Sequence, residues 1–274
     1  GAARRDLSML HAADRDAPAP AGGLDDRRAD FPLVQAAATG GAGHYLDNAA
    51  TTQKPARVIE AIDDCYRRGY GPIHRGLYPL ADAATHRYET ARQRVAGFIG
   101  ADAAQLVFTR STTESINLVA HGWARPRLRP GDRVWVTRME HHANLLPWQR
   151  VCRERGAELR VIELREDGSL DWQAAEELFD RRTRLIALSQ ISNVLGIENP
   201  VQALCARAAA EAIPVLVDAA EALGARHGGA SAGSMGSMEK RSWSSAMAPP
   251  GIVTVTRPSS LGTTPPSQPM TRAT

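Results

Sequence analysis

The sequence predicts an α/β protein whose core is a largely parallel β-sheet, and two patterns along the chain lead to that prediction. The first is a series of short β-rich runs, which lie at 106–109, 133–137, 158–162, 184–189 and 214–218. The second is the chain between these runs, which leaves room for one helix each time, at 112–124, 143–155, 172–180 and 200–212. Regular alternation of strand and helix is typical of right-handed crossovers between parallel strands.

Two helical patterns precede the first strand. Pro55 stands where the first turn of a helix tolerates proline. The apolar residues that follow it at helical spacing are Val58, Ile62, Cys65 and Tyr66. A second apolar stripe at the same period passes through Ala84, Tyr88, Ala91, Val95 and Phe98. Both patterns predict amphipathic helices.

The composition divides the chain into three regions. Residues 1–35 are rich in Ala, Asp, Arg and Pro without a sustained period, which predicts a mobile leader. Residues 36–227 carry the alternation and form the predicted domain. In 228–274, 32 of 47 residues are Gly, Ala, Ser, Thr or Pro and five are charged, so this region buries little apolar surface. We expect a poorly ordered, low-complexity tail whose one strand-like piece is 252–256.

Several classes of protein are disfavoured by composition. The 274 residues are 43% hydrophobic and 23% charged, which argues against wholesale disorder, collagen and coiled coil. No apolar run approaches the roughly 18 residues of a membrane span, and the N-terminus lacks the apolar core of a secretory signal. A net charge of +3 with scattered arginines argues against nucleic-acid binding. Cys65, Cys152 and Cys205 are widely separated, which favours a reducing, cytoplasmic setting.

Polar residues follow four of the predicted strands, at the sheet edge where ligands bind in such folds. After the first strand, Ser111, Thr112 and Thr113 open a helix. Its start suits a phosphate, because free N–H groups and the helix dipole point at the anion. The alternative is a capping box, in which Ser111 caps the helix and Glu114 reaches back. The two interpretations are compatible.

Paired histidines follow the second of these strands, in the segment from Glu140 to Asn144. They suggest a metal, but neighbours in sequence diverge in direction, and neither an HExxH pattern nor a cysteine accompanies His141 and His142. We therefore expect no metal site. A histidine can also stack on a planar ring or transfer a proton.

An amide and a carboxylate are the remaining polar groups that follow these strands. Asn193 follows the run 184–189, where it either donates to a ligand oxygen or stabilises its own loop. Asp218 ends an apolar strand, a place that disfavours a carboxylate unless it faces a cation, a protonated nitrogen or a helix start. One sheet edge would then carry a phosphate-binding helix start, an imidazole, an amide and a carboxylate. This combination predicts a pocket for a phosphorylated heteroaromatic ring. Pyridoxal phosphate fits this description.

These residues stand in motifs that resemble the cysteine desulfurase and selenocysteine lyase group of the class V aminotransferase superfamily, over about residues 30–223. The motifs occur in family order: YLDNAA at 45–50 with QKP at 53–55, HRG at 74–76, TTE at 112–114 with INL at 116–118, EHHAN at 140–144 with PW at 147–148, SNVLG at 192–196 and VLVD at 215–218. Six ordered motifs are far more specific than one short pattern. EHHAN and SNVLG favour the sulfur-mobilising branch.

The resemblance implies a fold and an activity. The fold is the large domain of the pyridoxal-phosphate-dependent transferases of fold type I. The activity is that of a homodimeric enzyme that removes sulfur from L-cysteine, or selenium from selenocysteine, and leaves alanine. The sulfur would pass to an acceptor protein of iron–sulfur cluster assembly. His74 and Arg75 match a segment that lies near the substrate in the family, often across the dimer interface.

The resemblance also implies roles for single residues. Thr112 and Thr113 would hold the phosphate of the cofactor. His141 would stack on the ring and transfer protons, and Asn193 would touch the ring oxygen. Asp218 would keep the ring nitrogen protonated.

The chain departs from the family pattern in two places. Glu221 stands at a cofactor-binding position where the family usually has glutamine, and a carboxyl group donates to the ring oxygen only when protonated. The Ser-Gly-His-Lys stretch with the Schiff-base lysine has no counterpart, and the only lysines among 33 basic residues are Lys54 and Lys240. We also expect that the C-terminal small domain is missing, which leaves the large domain incomplete and followed by an unrelated tail.

Three functional hypotheses follow. The first is a pyridoxal-phosphate-dependent cysteine desulfurase whose catalytic competence is impaired in this chain, because no Schiff-base lysine is identified. The second is a non-catalytic interaction module, or pseudoenzyme, that pairs with a full-length desulfurase. The third is an active lyase that uses Lys240 in an unusual setting.

Overall fold

The structure, a computed structural model, describes residues 28–40, 45–172, 178–222, 243–248 and 251–256. The α-helices within these ranges are α1 (Pro32–Gly40), α2 (Ala56–Asp64), α3 (Pro79–Phe98), α4 (Thr112–Val119), α5 (Leu146–Arg155) and α6 (Val201–Ala210). The strands are β1 (Val107–Phe108), β2 (Arg133–Thr137), β3 (Glu158–Ile162), β4 (Thr183–Ser189), β5 (Val215–Asp218), β6 (Trp243–Ala248) and β7 (Gly251–Thr256). Among the described residues, no helix is both long and apolar enough to cross a membrane.

The seven strands form one sheet in the order β1-β6-β7-β5-β4-β2-β3. β2 pairs in parallel with β3 and β4, β4 pairs in parallel with β5, and β1 pairs in parallel with β6. Only β7 runs antiparallel to its neighbours β5 and β6. The predicted α/β architecture with a mostly parallel sheet is confirmed.

The central strands are buried on both faces, as their continuous apolar sequences predict. Successive residues of a strand point to opposite faces. Accordingly, Ile186 and Leu188 of β4 pack with α6, while Leu185 and Ala187 pack with α4 and α5. The sheet therefore lies between two helical layers, and the loops at the carboxyl ends of its parallel strands lie at one edge.

From α2 to β5 the predicted elements agree with most of the observed ones, whereas α1 and β6 were not predicted. The runs at 133–137 and 158–162 coincide with β2 and β3, and the helix predicted at 200–212 corresponds to α6. Two of the predicted helices contain an additional turn of another helix type. A π-helical turn (Ala120–Ala124) extends α4, and a 3₁₀ turn (His142–Asn144) precedes α5. The helix predicted at 172–180 lies largely outside the described residues.

The N-terminal helices differ from the central ones in burial. α2 forms where its pattern predicts, but it contains no buried residue, and Ile62 and Tyr66 of its apolar stripe are 52% and 68% exposed. α3 buries Ala84 and Ala96, while Phe98 is 47% exposed. The amphipathic pattern of α2 therefore marks a surface that no described residue covers.

The predicted leader and tail fall mostly outside the described residues. In the leader, the described part begins at residue 28 and includes the start of α1. In the tail, the described segments are β6 and β7, and the strand-like piece predicted at 252–256 belongs to β7. Lys240 also lies outside the described residues.

Candidate active site

The start of α4 lies just after β1 and combines a cap with an unsatisfied hydroxyl. Ser111 Oγ accepts a hydrogen bond from the N–H of Glu114 (3.2 Å), so the predicted cap is present. The Glu114 carboxylate accepts from the N–H of Arg110 (2.7 Å), one residue before the cap. Thr112 is buried, and its Oγ1 has no hydrogen-bond partner among the described residues. Since buried polar groups are nearly always hydrogen-bonded, this hydroxyl indicates a ligand position.

His141 lies in the turn that follows β2. Its Nδ1 accepts a hydrogen bond from the N–H of Ala143 (3.1 Å), so the side chain caps the 3₁₀ turn. This contact leaves Nε2 as the ring nitrogen available to a ligand. The His142 ring is inclined at 64° to that of His141, with centroids 6.1 Å apart. Within the described part of the chain, no group of three or more His, Cys, Asp and Glu side chains is arranged to hold a metal.

Asp218 ends β5 and is 7% exposed. Its Oδ1 accepts from the N–H of Ala220 (3.0 Å), an Asx-type contact two residues on. Burial raises the pKa of Asp218, while the Ala220 N–H and the nearby charge of His141 oppose the rise. A buried carboxylate with so few donors is stabilised by a cation placed beside it.

Glu221 belongs to the same electrostatic environment. Burial raises the pKa of the Glu221 carboxyl, the charge of Asp218 raises it further, and His141 acts in the opposite direction. The structure therefore brings Asp218, Glu221 and His141 close enough to interact. Protonation of Glu221 is therefore easier than that of an exposed glutamate, and only the protonated carboxyl can donate a hydrogen bond.

Asn193 lies in the turn after β4. Ser192 Oγ accepts from the N–H groups of Val194 (3.3 Å) and Leu195 (3.1 Å), so Ser192 stabilises this turn. Asn193 is exposed, and its side chain makes no hydrogen bond to any residue that the structure describes. Its amide is therefore free for a ligand.

His74 and Arg75 lie in the loop before α3. The His74 ring meets Tyr88 edge-on (centroids 6.3 Å apart), and Tyr88 in turn meets Phe108 at the end of β1 (5.3 Å). His74 has a left-handed backbone (φ +58°), which is uncommon for a residue other than glycine. It is held by α3: Thr85 Oγ1 accepts from its N–H (3.0 Å), and Glu89 Oε1 lies 3.0 Å from its Nε2. Arg75 is exposed and makes no ion pair with a described residue. The structure does not join these two residues to the others within one chain.

Glu140 has a role that was not predicted from the sequence. Its carboxylate accepts hydrogen bonds from Thr137, Asn144 and Ser189, which belong to β2, to the turn after it and to β4. Burial raises the pKa of Glu140, and these hydrogen bonds oppose the rise. The signal in the sequence was a glutamate three residues after the end of the β-rich run 133–137.

The fold and this site define a class of α/β protein that places a helix start, an imidazole and a buried carboxylate at one edge of a mostly parallel sheet. Residues 44–233 match the aminotransferase class-V family, and the chain belongs to that family. Class V aminotransferases depend on pyridoxal phosphate. The predicted family and fold type are thereby confirmed.

Within the family, two curated relatives similar to this chain are cysteine desulfurases. The chain is 49% identical over 197 residues to a cysteine desulfurase of Enterobacter sp. (strain 638), which covers 72% of this chain and 48% of the relative. It is 47% identical over 201 residues to one of Escherichia coli O7:K1, with 73% and 50% covered. The chain thus spans about half the length of the curated relatives it matches.

Solved structures agree with this assignment. The cysteine desulfurase CsdA from Escherichia coli superimposes with a TM-score of 0.68 at 36% identity, covering 87% of this chain and 58% of that one. The apo cysteine desulfurase from Thermococcus onnurineus NA1 gives 0.69 at 34% identity, covering 88% and 58%.

Proposed function

We propose that this chain forms the cofactor-binding part of a cysteine desulfurase, an enzyme that releases sulfur from L-cysteine and leaves alanine. The observation that carries the proposal is the buried Thr112 hydroxyl, which lacks a partner among the described residues at the start of α4. Leaving such a group unsatisfied costs about 1–3 kcal/mol. A phosphate at a helix N-terminus would satisfy it. The cysteine desulfurases at 47% and 49% identity support the same reaction.

The residues at the sheet edge fit pyridoxal phosphate. Thr112, Thr113 and the first N–H groups of α4 would hold its phosphate. When bound, the cofactor supplies an electron sink for the reaction. Asp218 would stabilise a proton on the ring nitrogen, and that positive charge would compensate its burial.

The remaining polar groups would act at the edge of the ring. Nε2 of His141 would carry the transferred proton, because Nδ1 already accepts from Ala143. Asn193 would donate its free amide to the ring oxygen. Glu221 would donate there in its protonated form, in agreement with its raised pKa.

We further propose a homodimer in which His74 and Arg75 reach the substrate of the other copy. Support comes from their position, since the hydrogen bonds of His74 are made with α3 and Arg75 is exposed. An arginine in such a place suits a substrate carboxylate. The sulfur would pass to an acceptor protein of iron–sulfur assembly in the cytoplasm. Selenocysteine, from which the enzyme would release selenium, is the alternative substrate.

Turnover by these 274 residues alone is expected to be impaired. The Nζ of Lys54 donates to the carbonyl of Thr52 (2.7 Å), within its own N-terminal segment. Lys240 has none of the flanking residues of the family motif. Neither lysine has the sequence context of the amine that binds the cofactor covalently.

A titration of the chain with pyridoxal phosphate, followed by absorbance, tests the proposal. We expect saturable binding that Thr112→Val and Asp218→Asn each weaken about tenfold or more, since each removes a hydrogen bond or a charge at a buried site. Unchanged affinity in both variants would place the cofactor elsewhere. Borohydride reduction followed by mass spectrometry should find no stoichiometric adduct on Lys54 or Lys240. An adduct on Lys240 would refute the impairment.

The exposed apolar face of α2 favours a second candidate function, a non-catalytic module that pairs with a full-length desulfurase. Ile59 and Ile62 of α2 are 48% and 52% exposed, and Tyr66, two residues past its end, is 68% exposed. A patch of this kind is typical of an interaction surface. Light scattering on a mixture with a full-length desulfurase tests this alternative. A mixed species with neither cofactor binding nor turnover by the chain would favour the module.

A further inference from the structure

The Glu140 carboxylate is the most completely hydrogen-bonded acceptor at this edge of the sheet. Its Oε1 accepts from Thr137 Oγ1 (2.5 Å) and from the N–H of Ser189 (3.0 Å). Its Oε2 accepts from Ser189 Oγ (2.6 Å) and from Asn144 Nδ2 (2.6 Å). A carboxylate has about four lone-pair positions, so the four donors fill its capacity.

These hydrogen bonds join elements that are distant in sequence. Ser189 ends β4, 49 residues from Glu140 along the chain. Asn144 Oδ1 accepts from Nε1 of Trp148, a fully buried residue of α5. The carbonyl of Ser189 accepts in turn from Nδ2 of the buried Asn199 (2.7 Å). The turn after β2 is therefore attached to β4 on one side and to the core beneath α5 on the other.

His141 lies between the two attached ends of this turn. Glu140 precedes it, Asn144 follows three residues later, and both take part in the network. The N–H of Ala143, inside the turn, donates to Nδ1 of His141. In the neutral ring this contact requires the proton to be on Nε2.

We infer that Glu140 is the positioning residue for His141, because it holds the turn 141–144 against the end of β4 so that Nε2 remains the nitrogen that exchanges protons. Its importance for the reaction rests on the proposed function. The geometry itself can be measured without cofactor. If Glu140 only stabilised the fold, the proton of the neutral His141 ring would stay on the same nitrogen in any folded Glu140 variant.

The test is Glu140→Gln in the cofactor-free 274-residue chain. Glutamine preserves the shape but offers one acceptor oxygen, and its NH₂ faces two of the four donors. Nitrogen-15 spectra of the histidine rings, assigned with His141→Gln, report the tautomer. We expect one tautomer in the wild type and a mixture in the variant. The Ala143 amide should exchange with solvent about tenfold faster or more, as expected for the loss of hydrogen bonds to a buried charge.

Two further variants complete the experiment. Glu163→Gln is the matched control, because Glu163 lies one residue past β3, is exposed and pairs with Arg138, so the His141 spectrum should not change. Ser189→Ala removes one of the four donors and should give a smaller shift of the same kind. If Glu140→Gln does not fold, Ser189→Ala alone tests the inference.

The inference would be overturned if a folded Glu140→Gln or Ser189→Ala variant kept both the wild-type His141 tautomer and the wild-type exchange rate of the Ala143 amide. Cofactor titrations on the same samples separate this result from the proposed function. A tautomer shift without cofactor binding supports the inference and refutes the proposed function. Cofactor binding with an unchanged His141 tautomer supports the proposed function and refutes the inference.

Discussion

Two buried threonines differ in how their hydroxyls are satisfied, and this difference predicts opposite effects of the same substitution. Thr112 Oγ1 has no partner among the described residues, whereas Thr137 Oγ1 donates to Glu140 and accepts from the N–H of Met139. Thr112→Val should therefore change the free energy of unfolding by less than about 1 kcal/mol or stabilise the fold. Thr137→Val should destabilise it by about 1–3 kcal/mol, since it leaves buried partners unsatisfied. Urea unfolding of both variants without cofactor is the measurement, and equal losses would contradict the prediction.

Asp218 predicts a pH dependence of stability. Its pKa is raised in the folded state by burial, so the folded chain holds this proton at pH values where the unfolded chain has lost it. The contribution of the Asp218 carboxyl is thus complete below its unfolded pKa and is lost as the pH rises through the folded pKa. Asp218→Asn should be more stable than the wild type at neutral pH, because it removes a buried charge and retains an acceptor for the Ala220 N–H.

The measurement is urea unfolding of Asp218→Asn and wild type from about pH 2 to pH 8, a range that extends below the lowered pKa of the Asp167 control. The advantage of the variant should shrink toward the acid end, where the wild-type carboxyl is protonated. Exposed Asp167 supplies the control, since its pKa is lowered by Ser169. Asp167→Asn should show the opposite trend, with a loss of stability that fades in acid. A constant difference for Asp218→Asn across the range would refute the assignment.

Among the elements, α4 depends on its cap. Ser111 Oγ accepts the N–H of Glu114, and Glu114 in turn accepts from Arg110. Ser111→Ala should destabilise the chain by about 1 kcal/mol, the usual value for an N-cap serine. Ser111→Asp, which keeps an acceptor, should retain most of the stability. Thermal unfolding of the two variants is sufficient, and an equal loss in both would show that the hydroxyl does not act as a cap.

The whole molecule exposes an apolar surface that the central sheet does not cover. α2 contains no buried residue, and Leu77 in the loop before α3 is fully exposed. We predict self-association or aggregation through this surface. Ile59→Lys combined with Ile62→Lys should reduce association in light scattering, with a change in unfolding free energy of less than about 0.5 kcal/mol per site. Unchanged association, or loss of the cooperative transition, would contradict this prediction.

The strands from β1 to β5 were predictable because each is a short run rich in residues that favour β-structure, a property that a local window contains. The runs at 133–137 and 158–162 match β2 and β3 in both bounds. The Ser111 cap was equally local, since a cap and its acceptor lie three residues apart. The exposure of the apolar face of α2 was not predictable in this way. Its spacing indicates an apolar face, but whether another surface covers that face depends on contacts between distant parts of the chain.

The sequence by itself determined the order of β1 to β5 and of α4, α5 and α6 between them, the four polar loops that follow strands, and the family to which the chain belongs. It could do so because periodicity and motif spacing are properties of neighbouring residues. Only the tertiary structure decided that the Thr112 hydroxyl is buried without a described partner, that Glu221 interacts with Asp218 and His141, and that Glu140 joins β2 to β4. Each of these depends on how the sheet brings separate loops to one edge, because burial and hydrogen bonding arise between residues that are far apart in sequence.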